Sequence, residues 1–472
     1  MKKTIVALVG AFALTTACKD SLSAPSQDQV AAGTQQPVQN LITGIVAQDR
    51  ASASTFAYLL YPETEARNSV RIDPNEPRFI NELIGVPIDP SDFIGGSGWN
   101  GFYAEIRAVN VYLASPPLTP LFSAGDKSVT LGFLQTMKAL DYIRLVQLRD
   151  TLGVAIQTLQ TAVPDPLRTK TTGLAYISAL LDSANANLTA AGASAVVPFI
   201  LPAGFTGNGD YSQTANLTAF NRGLKGEVEV YRGLDHQNPC AACFLTAITA
   251  FNAALSGVSA TPSAGDLAMG PYYQYNPSAP ETFASPLVDN HIFLTDNFVQ
   301  SIIPGDARSS KIALSAAASS NVSGLKLTYR DPITDPTNLS NLTRQIPIVR
   351  NAQFFLLRAQ AEAESGNLAA ATADVNVVHT VEGGLQPLAV FTTRAQARQA
   401  IVYETRYSLI YEGPYHLILL REYGLLTTAY VSQPGMPSVS SDRTHANDPL
   451  QTTLPIPANE AAARSGDTTP KP

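Results

Sequence analysis

Several residue types are scarce in this chain of 472 residues. Only 15% of the residues are charged, and 31 Lys and Arg stand against 38 Asp and Glu, which gives a net charge of -7. A nucleic-acid surface normally needs a basic stripe, so this balance argues against nucleic-acid binding. The five His form no H-E-x-x-H pattern, and neither a P-loop nor a G-x-S-x-G motif occurs. Because acids, bases and nucleophiles are not clustered, we predict no catalytic residue, no cofactor and no metal site.

Long apolar runs are also missing, except at the start. Residues 1–17 combine Lys2-Lys3, an apolar stretch from Ile5 to Leu14 and small residues, which is typical of a signal peptide. That stretch is too short for a typical membrane-spanning helix, and no later apolar run is long enough. Cys18 follows directly and resembles the lipidated Cys of a lipobox; an ordinary secretory signal with an incidental Cys is the alternative. We therefore predict a lipid-anchored, flexible polar tether over residues 18–37.

Only two further Cys are present, Cys240 and Cys243, in the order C-A-A-C. Outside the cytosol a local disulfide is the first interpretation of this pair. A free pair is an alternative, and a metal site with His236 is another. No second Cys or His cluster lies nearby to complete four ligands.

The most regular stretch runs from Asn351 to Leu425 and predicts two tandem helix pairs. Apolar residues recur at three- and four-residue steps, and Gly-containing turns such as Gly366-Asn367 and Gly383-Gly384 separate them. Arg394 to Glu412 is predicted as one helix of the second pair. The same pattern predicts helices at Trp99 to Leu113, Val129 to Leu148, Gly173 to Ala190, Thr214 to Gly233 and Ala241 to Leu255. Each pair has the size of a tetratricopeptide unit.

Two irregular inserts interrupt these helices. Residues 62–97 and 257–350 are rich in Pro, Gly, Asn and Ser, and short strand-like runs appear at His291 to Leu294 and Leu325 to Arg330. Irregular inserts on a helical scaffold commonly carry binding surfaces.

Several segments carry a resemblance through their order along the chain. Trp99 to Tyr103, with Ile106 and Ala108 to Asn110, resembles the early helix of the SusD/RagB family of outer-membrane nutrient-binding lipoproteins. Met137 to Val146 resembles that family's R-A-x-x-Y-F-x-L-V segment. Phe354 to Asn376 resembles its L-R-A-E-A repeat, and Leu454 to Pro457 with Glu460 resembles its P-I-P-x-x-E ending. A further segment carries Glu404, Leu409, Glu412-Gly413 and Arg421, as in the family's E-R-x-x-E-L-x-x-E-G-x-R pattern.

This sequence departs from the family pattern at several positions. Thr405, Ser408, Tyr415 and Ile418 stand where the family usually has Arg, Glu, Arg and Asp. Lys138 and Ala155 replace an Arg and a Pro. We expect these differences to weaken the buried ion pairs that the family usually has near the helix carrying Glu404.

The resemblance implies a mainly α protein, with tetratricopeptide-like helix pairs as scaffold and large irregular inserts as binding face. It implies one SusD-like domain over residues 38–460, followed by a polar C-terminal tail at residues 461–472. It further implies an outer-membrane location facing the cell surface. There the protein would bind an oligosaccharide or peptide, cap a TonB-dependent transporter of the SusC type and pass substrate into it.

Sugar binding needs flat aromatic rings that stack on pyranose faces, ringed by polar side chains that bond hydroxyls. The stretch Tyr272-Tyr273-Gln274-Tyr275-Asn276 supplies both, although these Tyr could instead pack the insert onto the scaffold. Arg71, Asp73 and Arg78 of the first insert are further candidates, with a solvated loop as the alternative. Trp99 is the only Trp and could stack on a ligand or pack in the core.

Three other interpretations stay open at this point. The helix pairs could form a tetratricopeptide-like adaptor that binds another protein and no nutrient. A secreted hydrolase is a second possibility. Asp331 and Asp335 could hold Ca²⁺, but D-P-I-T-D-P with two Pro indicates turns first.

Overall fold

The structure is a computed structural model and describes residues 36–114, 122–157, 164–279, 282–431 and 450–472. The predicted signal peptide, nearly all of the tether and Cys18 lie outside the described residues. Helix α1 begins at Gln36, the first described residue, so residues 36 and 37, predicted as the end of the tether, lie in a helix.

Helices dominate the described part of the chain. In chain order they are α1 (Gln36–Ala53), α2 (Phe56–Leu59), α3 (Tyr61–Glu65), α4 (Arg78–Ile80), α5 (Asn100–Ala114), α6 (Ala124–Arg149), α7 (Lys170–Ala191), α8 (Gly204–Gly207), α9 (Thr214–Leu234), α10 (Ala241–Ala254), α11 (Ala264–Ala268), α12 (Asp296–Gln300), α13 (Asn351–Glu364), α14 (Leu368–Val381), α15 (Arg394–Ser408), α16 (Tyr415–Glu422), α17 (Thr428–Val431) and α18 (Ala458–Ala463). A π-helical turn follows α4 at Asn81–Gly85, and 3₁₀ turns lie at Asp150–Leu152, Ala307–Lys311, Pro332–Thr334 and Leu339–Thr343.

The long helices pack as successive pairs, as predicted. Helix α6 packs on α7, α9 on α10, α13 on α14, and α15 on α16, while α9 contacts α7 and α13 and so links neighbouring pairs. Small residues permit the closest approach: a Cβ on Gly223 of α9 would lie 2.0 Å from the Phe354 ring on α13. The helices bury their apolar residues against one another, and α6 is buried on all sides from Thr136 to Arg149, so the stack forms one continuous core.

Eight short strands, all within the inserts and loops, complete the described part. They are β1 (Ser69–Arg71), β2 (Val154–Ala155), β3 (Leu167–Arg168), β4 (Tyr272–Tyr273), β5 (Ile292–Leu294), β6 (Ala313–Leu314), β7 (Tyr329–Arg330) and β8 (Ile346–Pro347). The antiparallel sheet β1-β5-β7-β6 joins the first insert to the second, and the pairs β2-β3 and β4-β8 stand apart from it. The two inserts are therefore one structural unit, which the sequence pattern did not show.

One predicted helix end is wrong. The helix predicted to reach Glu412 ends at Ser408, because Leu409 leaves helical geometry and Tyr411 adopts a left-handed φ of 63°. The N–H of Tyr411 instead donates to the Glu63 carboxylate at 3.0 Å. A contact from α3, distant in sequence, thus replaces the missing helical bond.

Ion pairs between mostly buried side chains are present near α15, and their weakening relative to the family stays a prediction. The Glu404 carboxylate lies 2.6 Å from the guanidinium of Arg308, and Glu412 lies 2.7 Å from Arg350. Arg308 lies in the second insert, and Arg350 is the last residue of that insert. Ser408, at a position where the family has Glu, accepts a bond from Arg308 at 2.8 Å. Arginines from outside the helix therefore supply the charges for these pairs.

The C-terminal residues are not a free polar tail in the structure. Helix α18 extends into it, and the Lys471 N–H donates to the Leu167 carbonyl at 2.7 Å, beside β3. None of the helices in the described ranges combines the length and apolar character needed to cross a bilayer.

Candidate functional site

The predicted tyrosines of the second insert lie in the core. Tyr272, Tyr273 and Tyr275 are 9%, 3% and 2% exposed. The Tyr273 hydroxyl donates to Asp49 at 2.7 Å, and the Tyr275 hydroxyl bonds that of Ser54 at 2.7 Å. A stacking platform needs an exposed ring face, which these rings do not offer. The alternative interpretation, that these Tyr pack the insert onto the scaffold, agrees with their burial.

Asn276 and Trp99 differ in exposure, but neither forms the predicted aromatic site. Asn276 is exposed, and its amide oxygen accepts a turn bond from the Ser278 N–H at 2.9 Å. Trp99 is 2% exposed, with its ring centroid 4.7 Å from that of Tyr103 and 5.5 Å from the Arg149 guanidinium. Trp99 is therefore a packing residue.

The predicted polar residues of the first insert differ in exposure: Asp73 is 8% exposed, and Arg71 and Arg78 are partly exposed. Arg71, at the end of β1, and Asp73, two residues further on, contact Asp289 and His291 of the second insert. Pairing of β1 with β5 sets Arg71 opposite Ile292, and the Ile72 N–H donates to the His291 carbonyl at 2.8 Å. The strand register thus brings two distant segments together.

We call Arg71, Asp73, Asp289 and His291 the polar corner. Arg71 contacts both carboxylates, at 2.7 Å to Asp289 and 3.0 Å to Asp73, and His291 Nδ1 lies 3.0 Å from Asp289. Burial raises the pKa of Asp289, but bonds from Arg71 and from the His291 N–H outweigh it and lower the pKa overall. The polar corner therefore presents two carboxylates, one guanidinium and one imidazole, which these contacts hold together.

A row of aromatic rings continues from the polar corner. The Arg71 guanidinium lies 4.3 Å from the Phe79 ring centroid, and the Phe79 and Phe93 centroids are 5.3 Å apart. Phe93 is 44% exposed, and the guanidinium of Arg78 lies 4.5 Å from its centroid. Glu76 holds Arg78 through two bonds of 2.7 and 2.6 Å. Phe93 is therefore an exposed ring in a fixed orientation.

An open cleft of about 540 Å³ lies beside Phe93. Its lining is mostly small, hydroxyl and amide groups: Pro90, Ser91, Asp92, Phe93, Gly96, Ser97, Asn100, Ala458 and Asn459. The C-terminal segment fixes one wall, since the Ala458 N–H donates to the Pro90 carbonyl at 2.9 Å. The volume is in the range of small-ligand sites.

Sequence reasoning named Arg71, Asp73 and Arg78 but missed Phe93, Asp92, Asp289 and His291. Phe93 was recognisable as an aromatic residue inside an irregular insert. The pairing with Asp289 and His291, more than two hundred residues away, carried no local signal.

A larger cavity of about 730 Å³ lies elsewhere, beside α15. Its inner wall includes Glu404 and His379, which bond each other at 2.7 Å, and its rim includes the exposed Val390. Tyr430 also lines it, one residue before the described chain stops at Val431. Its lining also includes the partly exposed ring of Tyr403, whose hydroxyl donates to Asp306 at 2.7 Å and whose centroid lies 5.5 Å from the Arg308 guanidinium. The Phe93 ring is the more exposed of the two.

Cys240 and Cys243 are joined by a disulfide at the start of α10.

Asp331 and Asp335 cap their own turns, and each accepts a hydrogen bond from the N–H of the residue two positions further on. The turn interpretation of D-P-I-T-D-P therefore agrees with the structure.

Solved structures share this architecture. A SusD superfamily protein from Bacteroides thetaiotaomicron has a TM-score of 0.66 and 16% identity, over 92% of this chain and 98% of that one. NanU from B. fragilis has a TM-score of 0.64 and 16% identity, over 94% and 98%. A SusD-like carbohydrate binding protein from Bacteroides vulgatus has a TM-score of 0.62 and 13% identity, over 93% and 99%. No protein-family model and no curated protein matches the sequence.

The chain therefore has the SusD-like fold, and it is a divergent example of it. At these identities the likeness concerns the fold, and the binding chemistry has to be argued from the residues of this chain.

Proposed function

We propose that the protein binds neutral oligosaccharides at the cell surface, with the Phe93 ring and the adjacent cleft as the binding site. The observation that carries this is the half-exposed Phe93 ring, held by Arg78 next to a cleft lined with hydroxyl and amide groups. An exposed ring stacks on a pyranose face, and Ser, Asn and Asp side chains bond its hydroxyls.

The polar corner extends this face. Arg71 contacts both Phe79 and Asp289, so the polar corner adjoins the row of rings that ends at Phe93. The SusD-like fold and the carbohydrate-binding relative of the same fold support this assignment.

We further propose that the protein is held at the outer membrane by lipid on Cys18 and delivers its ligand to a TonB-dependent transporter of the SusC type. The signal-like start of the sequence and the fold support this. The binding role needs no catalytic group, so we expect the bound oligosaccharide to be released unchanged.

The test is binding of the purified full chain to an array of neutral and acidic oligosaccharides and of peptides. We expect binding to one class of neutral oligosaccharide, no cleavage of it, and co-purification of a large β-barrel transporter from native membranes. Absence of binding to every oligosaccharide, or ligand turnover, would contradict the proposal. Partner binding that requires the α13–α16 surface and no oligosaccharide would favour the adaptor interpretation.

A further inference from the structure

Three carboxylates from three helices meet inside the scaffold, away from the Phe93 cleft. Asp49 lies on α1, Glu105 on α5 and Asp141 on α6, and they are 0%, 1% and 0% exposed. One oxygen of each lies within 4.8 Å of the others. We call this group the carboxylate triad.

The triad is incompletely bonded. Asp49 accepts from a guanidinium nitrogen of Arg144 and from the Tyr273 hydroxyl. No donor from another described residue reaches either oxygen of Glu105 or of Asp141, and these two carboxyl groups lie within hydrogen-bond reach of each other. Buried polar atoms are paired in the great majority of cases, so two ionised carboxylates that have only each other would lack a partner.

The negative charge of the ionised triad would also exceed the positive charge paired with it. Three ionised carboxylates carry three negative charges, and Arg144, itself 1% exposed on its side chain, is the one cation paired with the triad in the described ranges. Two buried negative charges are then left without a partner, which is costly in a protein interior. A divalent cation supplies the charge that balances them.

We propose that the carboxylate triad binds one Ca²⁺ ion. All the donors are oxygens, which excludes a preference for soft metals and favours Ca²⁺, Mg²⁺ or Mn²⁺. Oxygens bound at about 2.3–2.6 Å around Ca²⁺ lie up to roughly 5 Å apart, which suits the triad spacing. Mg²⁺ retains several waters as a rule, and a fully buried site leaves little access for them.

The ion would join the N-terminal helix α1 to the scaffold helices α5 and α6. It also reaches the second insert, because Tyr273 on β4 donates to Asp49. The site is thus structural, and it does not rest on the oligosaccharide proposal.

The competing account is that the triad holds protons. Burial, with the neighbouring Asp141 charge, raises the pKa of Glu105 well above its ordinary value, and burial raises that of Asp141 likewise. A neutral Glu105–Asp141 acid pair would then need no ion. The two accounts differ in metal content and in the response of stability to Ca²⁺.

The experiment uses the full chain purified in detergent without chelator, and then stripped with EDTA. We expect about one Ca²⁺ per chain by elemental analysis, a lower melting temperature after stripping, and its recovery on adding CaCl₂. MgCl₂ should restore it less. The double variant Glu105→Gln, Asp141→Asn keeps the shapes of the side chains and removes their charges, so it should fold but lose the response to EDTA and CaCl₂.

The matched control is Glu362→Gln, which makes the same change at a buried carboxylate on α13, outside the triad. It should keep the Ca²⁺ response of the wild type. The proposal is overturned if the wild type contains no divalent metal and its melting temperature does not change with EDTA, CaCl₂ or MgCl₂, as a protonated pair predicts. A Ca²⁺ response that survives in the double variant would overturn it too, since the ion would then lie elsewhere.

Discussion

Replacement of Arg308 by Met should destabilise the protein strongly. Arg308 lies between two carboxylates, at 2.7 Å from Asp306 and 2.6 Å from Glu404, and the three side chains are 4%, 0% and 1% exposed. Removing one partner of a buried ion pair leaves an uncompensated charge and costs about 3–5 kcal/mol. Met fills much of the same volume, so the loss reports mainly on charge. Urea unfolding at pH 7, followed by circular dichroism, measures it.

The matched control is Arg398→Met. Arg398 also binds a carboxylate, Glu364, at 2.7 Å, but its side chain is 37% exposed, so water screens the pair and the loss should be about 1 kcal/mol or less. The reasoning is refuted if Arg308→Met unfolds at the urea concentration of the wild type, or if the two variants lose equal stability.

The pH dependence follows from Asp306. Burial raises the pKa of Asp306, but the bonds from Arg308 and Tyr403 outweigh it and lower the pKa. A carboxylate with a lowered folded pKa stabilises the protein above its unfolded pKa, about 4, and that contribution is lost as the pH falls through the folded pKa. The difference between wild type and Arg308→Met should therefore shrink in acid.

Two further predictions concern the scaffold. Gly223→Ala on α9 should lower stability by about 1–3 kcal/mol, since the added Cβ would lie 2.0 Å from the Phe354 ring; an unchanged melting temperature would contradict this packing. Burial raises the pKa of Glu65 to about 8, against an ordinary value of 4.5, so its ionisation destabilises the folded state as the pH rises between these values. Glu65→Gln should then gain melting temperature relative to wild type from pH 5 to pH 8, whereas a constant difference would show that Glu65 is ionised throughout.

Local sequence patterns were sufficient to predict most long helices within a few residues. Helix α13 illustrates why: its apolar stripe repeats at helical spacing, and Gly366, with a φ of 88°, ends the turn that follows it. The end of helix α15 was not predictable from local patterns, because the hydrogen bond from Tyr411 to Glu63 joins residues 348 positions apart.

The candidate site was predictable only in part. Arg71, Asp73 and Arg78 were chosen for their chemistry inside an insert; Arg71 and Arg78 are partly exposed, whereas Asp73 is 8% exposed. Tyr273 was chosen for the same reason but is buried, because Asp49 and Arg144 bind its hydroxyl from helices far away in sequence. Residue type alone did not distinguish an exposed ring such as Phe93 from a buried one.

The most direct test of the binding account is the affinity of Phe93→Ala for the oligosaccharide that binds the wild type, measured by calorimetry. One stacking contact contributes about 0.5–1.5 kcal/mol, so we expect a roughly 2- to 12-fold loss of affinity. Leu245→Ala, a truncation of an exposed apolar side chain on α10, should bind as the wild type does. Unchanged affinity in a folded Phe93→Ala protein would contradict the account.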